Sequence, residues 1–327
     1  MFTAAPILWN PTTPPIAGVR MKIAYLILAH KNPTLIKKAV ECLSCEDVSF
    51  FIHIDAKVDI SQFDSIRGKN IFFIDKRILV HWGEFSQTEA ILLLIQQALA
   101  APERHDYLVL LSGSDFPLRS GEYVRKFLEI NQGREFITMV KLPAPGMPIS
   151  RINTLRFPST RPIRRFVFRA LAKVGLARRD YRKYLGALEP YSGHTWWALS
   201  RESCQYIIEF MQRHQELAKF FENTHASDEI FIHTILGNSP FKSRIRRHLV
   251  YEDWPVEGAR HHPKMINAKH VDLFESQSEI SPIDLHGPDE LLFARKFSDD
   301  DLRLVERVEK MIRKKEKLAG PRQAGAF

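Results

Sequence analysis

Along the first third of the chain, apolar residues come in continuous runs separated by short polar breaks. Lys22–Leu28 reads KIAYLIL, the pattern of a strand buried on both faces. It stops at Ala29-His30-Lys31, and Asn32-Pro33-Thr34 opens a helix to about Leu43, with Pro33 suited to the first turn. Val48–Ile54 (VSFFIHI) and Asn70–Ile74 (NIFFI) predict two more buried strands, ending at Asp55 and Asp75. After a turn at His81-Trp82-Gly83-Glu84, Phe85–Ala101 carries leucine and isoleucine at helical spacing. Tyr107–Leu111 (YLVLL) predicts a fourth strand that ends in SGSDFP, Ser112–Pro117. This strand–helix alternation predicts an α/β fold, a mostly parallel, twisted central sheet flanked by helices. Ligands of such sheets bind beyond the carboxyl ends of the strands, where His30, Asp55 and Asp115 all fall.

Arg151–Leu185 breaks the pattern, with eleven lysines and arginines against one acid, Asp180. Phe166, Val167, Ala170, Leu171, Val174 and Leu176 interleave with those charges. Three readings fit: a basic amphipathic helix on an anionic membrane surface, a mobile flap over an acidic or phosphorylated substrate, or a solvated insertion packed by its apolar stripe. Regular structure resumes with a strand over Ser192–Leu199 (SGHTWWAL) and a helix from Glu202 to about His214. Ser227-Asp228-Glu229 opens a helix through Leu236, with Ser227 as its N-cap and the acids favourable in the first turn. From Ser298 a highly charged amphipathic helix leads into a frayed stub. The organisation read from this is a disordered leader or misplaced start over 1–20, one domain over 21–297, and a charged helix and tail over 298–327. Within the domain, 21–125 forms a nucleotide-binding half and 126–297 an acceptor and catalytic half that contains the basic insertion 151–185.

An apolar share of 45% with 22 phenylalanines supports a sizeable core, and 26% charged residues argue against a disordered chain. The net charge of +9 asks for an anionic partner. Three cysteines, Cys42, Cys45 and Cys204, argue against a disulfide framework and for a reducing compartment. No apolar run approaches the roughly 18 residues of a membrane span, and the N-terminus lacks the charged and apolar regions of a signal peptide. A cytoplasmic location is expected, peripheral on the inner face of the membrane where the basic segment meets lipid. GxGxxG after the first strand, Walker A, GxSxG and HExxH motifs are all absent, and the histidines show no zinc spacing.

Seven segments carry more information together than singly: AYLILAHK (Ala24–Lys31), FFIHIDAK (Phe50–Lys57), VHWGEFSQTEA (Val80–Ala90), YLVLLSGSDFPLRS (Tyr107–Ser120), SGHTWWALSR (Ser192–Arg201), SDEIFIHTIL (Ser227–Leu236) and LFARKF (Leu292–Phe297). In this order, and over most of Met21–Phe297, they resemble the core-2/I-branching enzymes and peptide-O-xylosyltransferases, which share one glycosyltransferase family. The resemblance is closest to the bacterial members. It implies a GT-A-like fold, an inverting mechanism and a UDP-sugar donor, with N-acetylglucosamine the first expectation and xylose the second. The implied acceptor is a glycan or glycoconjugate, a bacterial surface or secreted precursor assembled on the cytosolic side.

Inverting transfer needs a base for the acceptor hydroxyl and positive charge for the departing diphosphate. The family's catalytic glutamate lies in a segment matching Ser227–Glu229, which assigns the base to Glu229. No DxD motif stands at a strand end, and Asp299-Asp300-Asp301 reads as a helix cap. The branching enzymes are similar in replacing the metal by basic side chains, so no metal and no cofactor is expected. Lys296 falls on the family's diphosphate-binding lysine. The second basic residue is sought in Arg260–Lys264, with Lys264 favoured over Arg260. By the same resemblance His30 and Asp55 meet the nucleoside, and Asp115 organises the donor pocket or ties its loop to the sheet. Trp196 and Trp197 offer a flat face to a sugar, though strand alternation puts only one in the cleft. Tyr251 and Trp254 fall near acceptor-site aromatics. A membrane- or nucleic-acid-binding protein built on 151–185 is the rival reading. It explains the charge but not the ordered strand-end motifs, so nucleic acid is not the expected partner.

Overall fold

The computed structural model describes residues 20–157, 159, 163, 166–167, 170–171, 175, 177–255, 262–281 and 290–319. The leader and Arg260 therefore lie outside the described residues, apart from Arg20.

The apolar runs become the centre of the main sheet. Strands β1 (Ile23–Ala29), β2 (Val48–Ile54), β3 (Ile71–Phe73) and β4 (Tyr107–Ser112) lie parallel in the order β4-β1-β2-β3. Every residue of β2 is buried, which explains why its sequence shows no alternation. β5 (Asp115–Pro117) leaves this sheet directly after β4. Further on come β6 (Glu135–Phe136), β7 (Met139–Lys141), β8 (Tyr191–Gly193), β9 (Ala198–Ser200), β10 (Ile245–Arg246), β11 (Val250–Glu252) and β12 (Phe293–Arg295). β9 runs antiparallel to β4 and β6, and β10 closes the edge, giving seven strands ordered β10-β6-β9-β4-β1-β2-β3. A second sheet has the order β11-β12-β5, and β7 pairs with β8.

Two readings need correction here. Ser192–Leu199 is not one strand: β8 and β9 belong to different sheets, and His194–Trp197 crosses between them. Gly193 allows that crossing, because a Cβ there would meet Thr138 O at 1.8 Å. Ser227 does not cap a helix. Its hydroxyl lies 2.9 Å from Thr88 Oγ1, Ser227–Glu229 is a 3₁₀ turn, and the α-helix starts only at Phe231.

The C-terminal helix, Leu302–Ala319, is part of the body of the protein. Val305, Val308, Met311 and Ile312 follow helical spacing and join a second core with Leu35, Phe116, Phe274 and Phe297. Ser298, rather than the aspartates read as a cap, supplies the capping side chain, accepting from Asp300 N. Asp299 turns elsewhere, accepting from Thr34 N at 3.1 Å and Leu35 N at 2.7 Å, so it caps the helix Pro33–Leu43. Among the described residues no helix is long and apolar enough to cross a membrane.

Candidate active site

Beyond the carboxyl ends of β1, β2 and β4 lies a cleft of about 370 Å³. His30 and Lys31 leave β1, Asp55 leaves β2, and Ser112–Ser114 leave β4. The opposite lining comes from His194–Trp196, Asp228 and Glu229, Glu252 and Trp254, and Arg295 and Lys296. Of the expected site residues, Glu229, His30, Asp55, Lys296, Trp196 and Trp254 meet here. The other described ones stand outside. Trp197 is core at 2% exposure, Tyr251 packs edge-on against Phe274, and Lys264 pairs with Asp253. Asp115 is buried behind the cleft and accepts from Ser112 N and Oγ at 2.6 and 2.8 Å.

On the β1–β2 side, Asp55 accepts from Lys57 N at 2.9 Å and faces Lys57 Nζ at 3.3 Å. Burial, then the charge of Lys31, lowers the pKa of His30, with Asp55 pulling the other way. His53 accepts from Ile78 N at 2.8 Å, and burial holds its imidazole neutral, titrating at about 4. Lys296 is lowered by burial first and by Arg295 and Lys31 next, so three cations share this end of the cleft.

Glu229 is presented by the 3₁₀ turn, which side chains of the helix Phe85–Ala100 hold in place. Thr88 bonds Ser227, and Gln87 Nε2 donates to Asp228 Oδ2 at 2.9 Å. Thr195 Oγ1 donates to the same oxygen at 2.8 Å. Burial, with the adjacent Glu229 second, raises Asp228 well above the usual carboxylate range. The Glu229 carboxylate accepts from Arg151 Nη2, so the basic insertion reaches the candidate base directly.

Arg295 is the site residue that sequence reading missed. Its Nε stands 3.3 Å from Asp115 and its Nη1 3.8 Å from Glu252, while the guanidinium lies 4.3 Å over the Trp196 ring. Asp115 thus meets a side chain that lines the cleft, Arg295, rather than the cleft itself. Burial alone would raise Glu252, but the hydrogen bond and charge of His194, then Arg295 and His248, hold it down at about 2. The available signal was the adjacency of Arg295 to Lys296 at the end of an apolar run. Trp82, 61% exposed in the VHWGE turn, also lines the cleft and was not singled out.

Among the described residues, one group could bring ligand atoms to a metal: His194, His248 and Glu252, within 4.8 Å of one another. The imidazoles are stacked, with centroids 4.3 Å and planes 21° apart. His194 Nδ1 already lies 2.9 Å from Glu252 and His248 Nδ1 2.7 Å from Thr138 Oγ1, and Arg295 stands beside the carboxylate. This arrangement suits an ion-pair and stacking network better than a divalent cation.

The pattern of the Core-2/I-Branching enzyme family matches residues 23–278. The chain belongs to this family. The match includes Glu229 and ends before Arg295 and Lys296. Xylosyltransferase oxt of Drosophila pseudoobscura pseudoobscura is 25% identical over 236 residues, covering 70% of this chain and 26% of that protein. Xylosyltransferase 2 of Rattus norvegicus is 24% identical over 253 residues, covering 73% and 27%. The human beta-1,3-galactosyl-O-glycosyl-glycoprotein beta-1,6-N-acetylglucosaminyltransferase is 24% identical over 221 residues, covering 65% and 48%. The chain therefore spans about a quarter of the xylosyltransferases' length and about half of the last relative's.

Proposed function

We propose that this protein is an inverting glycosyltransferase that moves a sugar, first N-acetylglucosamine, from a UDP-sugar to a glycan hydroxyl. One observation carries the reading: a carboxylate, Glu229, and two cations, Arg295 and Lys296, line the same strand-end cleft. Glu229 takes the acceptor hydroxyl proton as that oxygen bonds to the anomeric carbon. The bond from this carbon to the diphosphate oxygen breaks, and its electron pair leaves with UDP. Lys296, with Arg295 beside it, offsets the charge that develops there. A half-buried ammonium acts on a phosphate more strongly than an exposed one, and two side-chain cations do the work a metal does elsewhere.

In this reading His30 and Asp55 face the nucleoside, and Trp196 and Trp254 face the sugars. Xylose transfer is the second reading, favoured by the xylosyltransferases among the relatives. The free thiols of Cys42, Cys45 and Cys204 support a reducing, cytoplasmic setting.

The test is calorimetric binding of UDP, UDP-N-acetylglucosamine and UDP-xylose in EDTA, to the wild type and Lys296→Ala. UDP affinity should survive EDTA and fall about 10- to 100-fold in the variant, the range of one charge-assisted hydrogen bond. Binding that requires a divalent metal would overturn the role given to Lys296. The preferred sugar nucleotide distinguishes the two donors.

A further inference from the structure

The turn that presents Glu229 carries a second acid, Asp228, to which the proposed chemistry gives no role. The two residues are consecutive in the 3₁₀ turn, and both line the cleft. Their surroundings differ. Glu229, with its side chain 34% exposed, has a cation: Arg151 meets its Oε2 and leaves Oε1 open. Asp228 is 7% exposed, and the side chains that bond it are neutral. Gln87 Nε2 and Thr195 Oγ1 both donate to its Oδ2, one from the helix Phe85–Ala100 and one from the crossing between the sheets.

Few charges face the pair. The helix Phe85–Ala100 turns the neutral Gln87 and Thr88 towards it. The helix Phe231–Gly237 brings His233, kept neutral by burial, with its Nε2 on His194 O at 2.9 Å. His194 gives its Nδ1 to Glu252 at 2.9 Å rather than to the turn. Ahead of the turn, His225 packs edge-on against Trp82, and Glu84 accepts from Ser159 N. Among the described residues, Arg151 is thus the only cation paired with either carboxylate.

Two adjacent carboxylates with one cation between them do not ionise together at low cost. Burial and a neighbouring negative charge both favour the protonated acid. Both act on Asp228, burial first and Glu229 second, against the opposing pull of Thr195 and Arg151. The coupling is reciprocal: a charge on Asp228 acts on the proton of Glu229 as strongly as the reverse.

We propose that Asp228 is a positioning residue that holds a proton while Glu229 is ionised, and that its own ionisation makes Glu229 a stronger base. The meaning for catalysis rests on Glu229 being the base, whereas the coupling itself does not.

The experiment follows the carboxyl signals of the full chain by carbon nuclear magnetic resonance, with aspartate and glutamate labelled at that carbon, from about pH 4 to 9. The wild type is compared with Asp228→Asn, Glu229→Gln and Thr195→Val. In the wild type Asp228 should titrate above the ordinary carboxylates, and the Glu229 signal should move in the same step. Glu229→Gln should lower the Asp228 midpoint by about one pH unit, and Thr195→Val, which removes a donor to the charged form, should raise it. Asp228→Asn should erase that step from the Glu229 signal. The asparagine keeps an oxygen for Gln87 and Thr195, so a purely structural Asp228 predicts no change at Glu229. That outcome, an Asp228 midpoint in the ordinary range, or one that Glu229→Gln leaves in place, overturns the proposal. If Asp228→Asn fails to fold, Glu229→Gln reads the same coupling from the other side. The titration uses no substrate, so absence of UDP binding in calorimetry strikes the glycosyltransferase reading and leaves the coupling standing.

Discussion

On one side of the cleft, His30, Asp55 and Ser112–Ser114 leave three adjacent parallel strands whose register is set by backbone hydrogen bonds. On the other, Glu229 leaves a 3₁₀ turn and His194–Trp196 leave a crossing between sheets. The first side takes its geometry from the sheet. The second depends on side chains: Gln87, Thr88, Thr195 and Arg151 each touch the Ser227–Glu229 turn. A strand-end position tolerates change in its neighbours as long as the ladder holds. The turn position tolerates less, because beyond the backbone bond from Ala226 N to Gly83 O at 2.9 Å the contacts that hold it are single side chains.

The largest expected effect separates the two sides by function. Glu229→Gln should lower transfer about 10²- to 10⁴-fold while calorimetric UDP affinity stays within about twofold. A matching loss of UDP binding would mean that the two sides do not act independently.

Acid should separate them by stability. His233 and His248, behind the crossing, are buried and neutral, with burial the main cause of pKa values lowered from 6.5 to about 3. Folded-state values below the unfolded ones give stability that is complete above about pH 6.5 and lost as pH falls toward 3. Each imidazole should cost about 1.4 kcal/mol per pH unit in that window. His53 in β2, lowered to about 4, adds the same slope to the strand side, but only between about pH 6.5 and 4. Hydrogen exchange should therefore show the Glu229 side, with two such imidazoles, opening before β1, β2 and β4. Simultaneous opening would break the contrast.

The smallest effect tests the strand side. Asp299→Ala removes the cap of the helix Pro33–Leu43 and should cost about 1 kcal/mol in urea unfolding. A change below a few tenths would mean that the helix start is held by Asn32 and the sheet alone.

The same contrast explains what the sequence disclosed. Continuous apolar runs gave β1, β2 and β4 to within about a residue, and with them the places of His30 and Asp55. Their signal is local, because a strand buried on both faces needs no partner to be recognised. The strand read over Ser192–Leu199 failed for the complementary reason: an apolar run does not tell which sheet each end joins. The orientation of Arg295 depends on pairing with β5 and β11, more than 40 residues away in sequence for β11 and farther for β5. Lys264 was favoured by charge and position, but its Asp253 partner is a tertiary contact. The roles of Ser227 and Asp299 were likewise decided by groups remote in sequence, Thr88 and the start of the first helix.

The Asp299 contact also bears on the order in which the protein can be made. The first helix, beside His30 and Lys31, is made well before its cap, which lies 264 residues later than Leu35. The nascent chain can pair β1, β2 and β4 long before that carboxylate exists. During synthesis the strand side can therefore be assembled but uncapped, and the second core is complete only when Val305–Ile312 arrives. A chain stopped short of residue 299 would keep the sheet and most of the cleft lining, but not the finished start of its first helix.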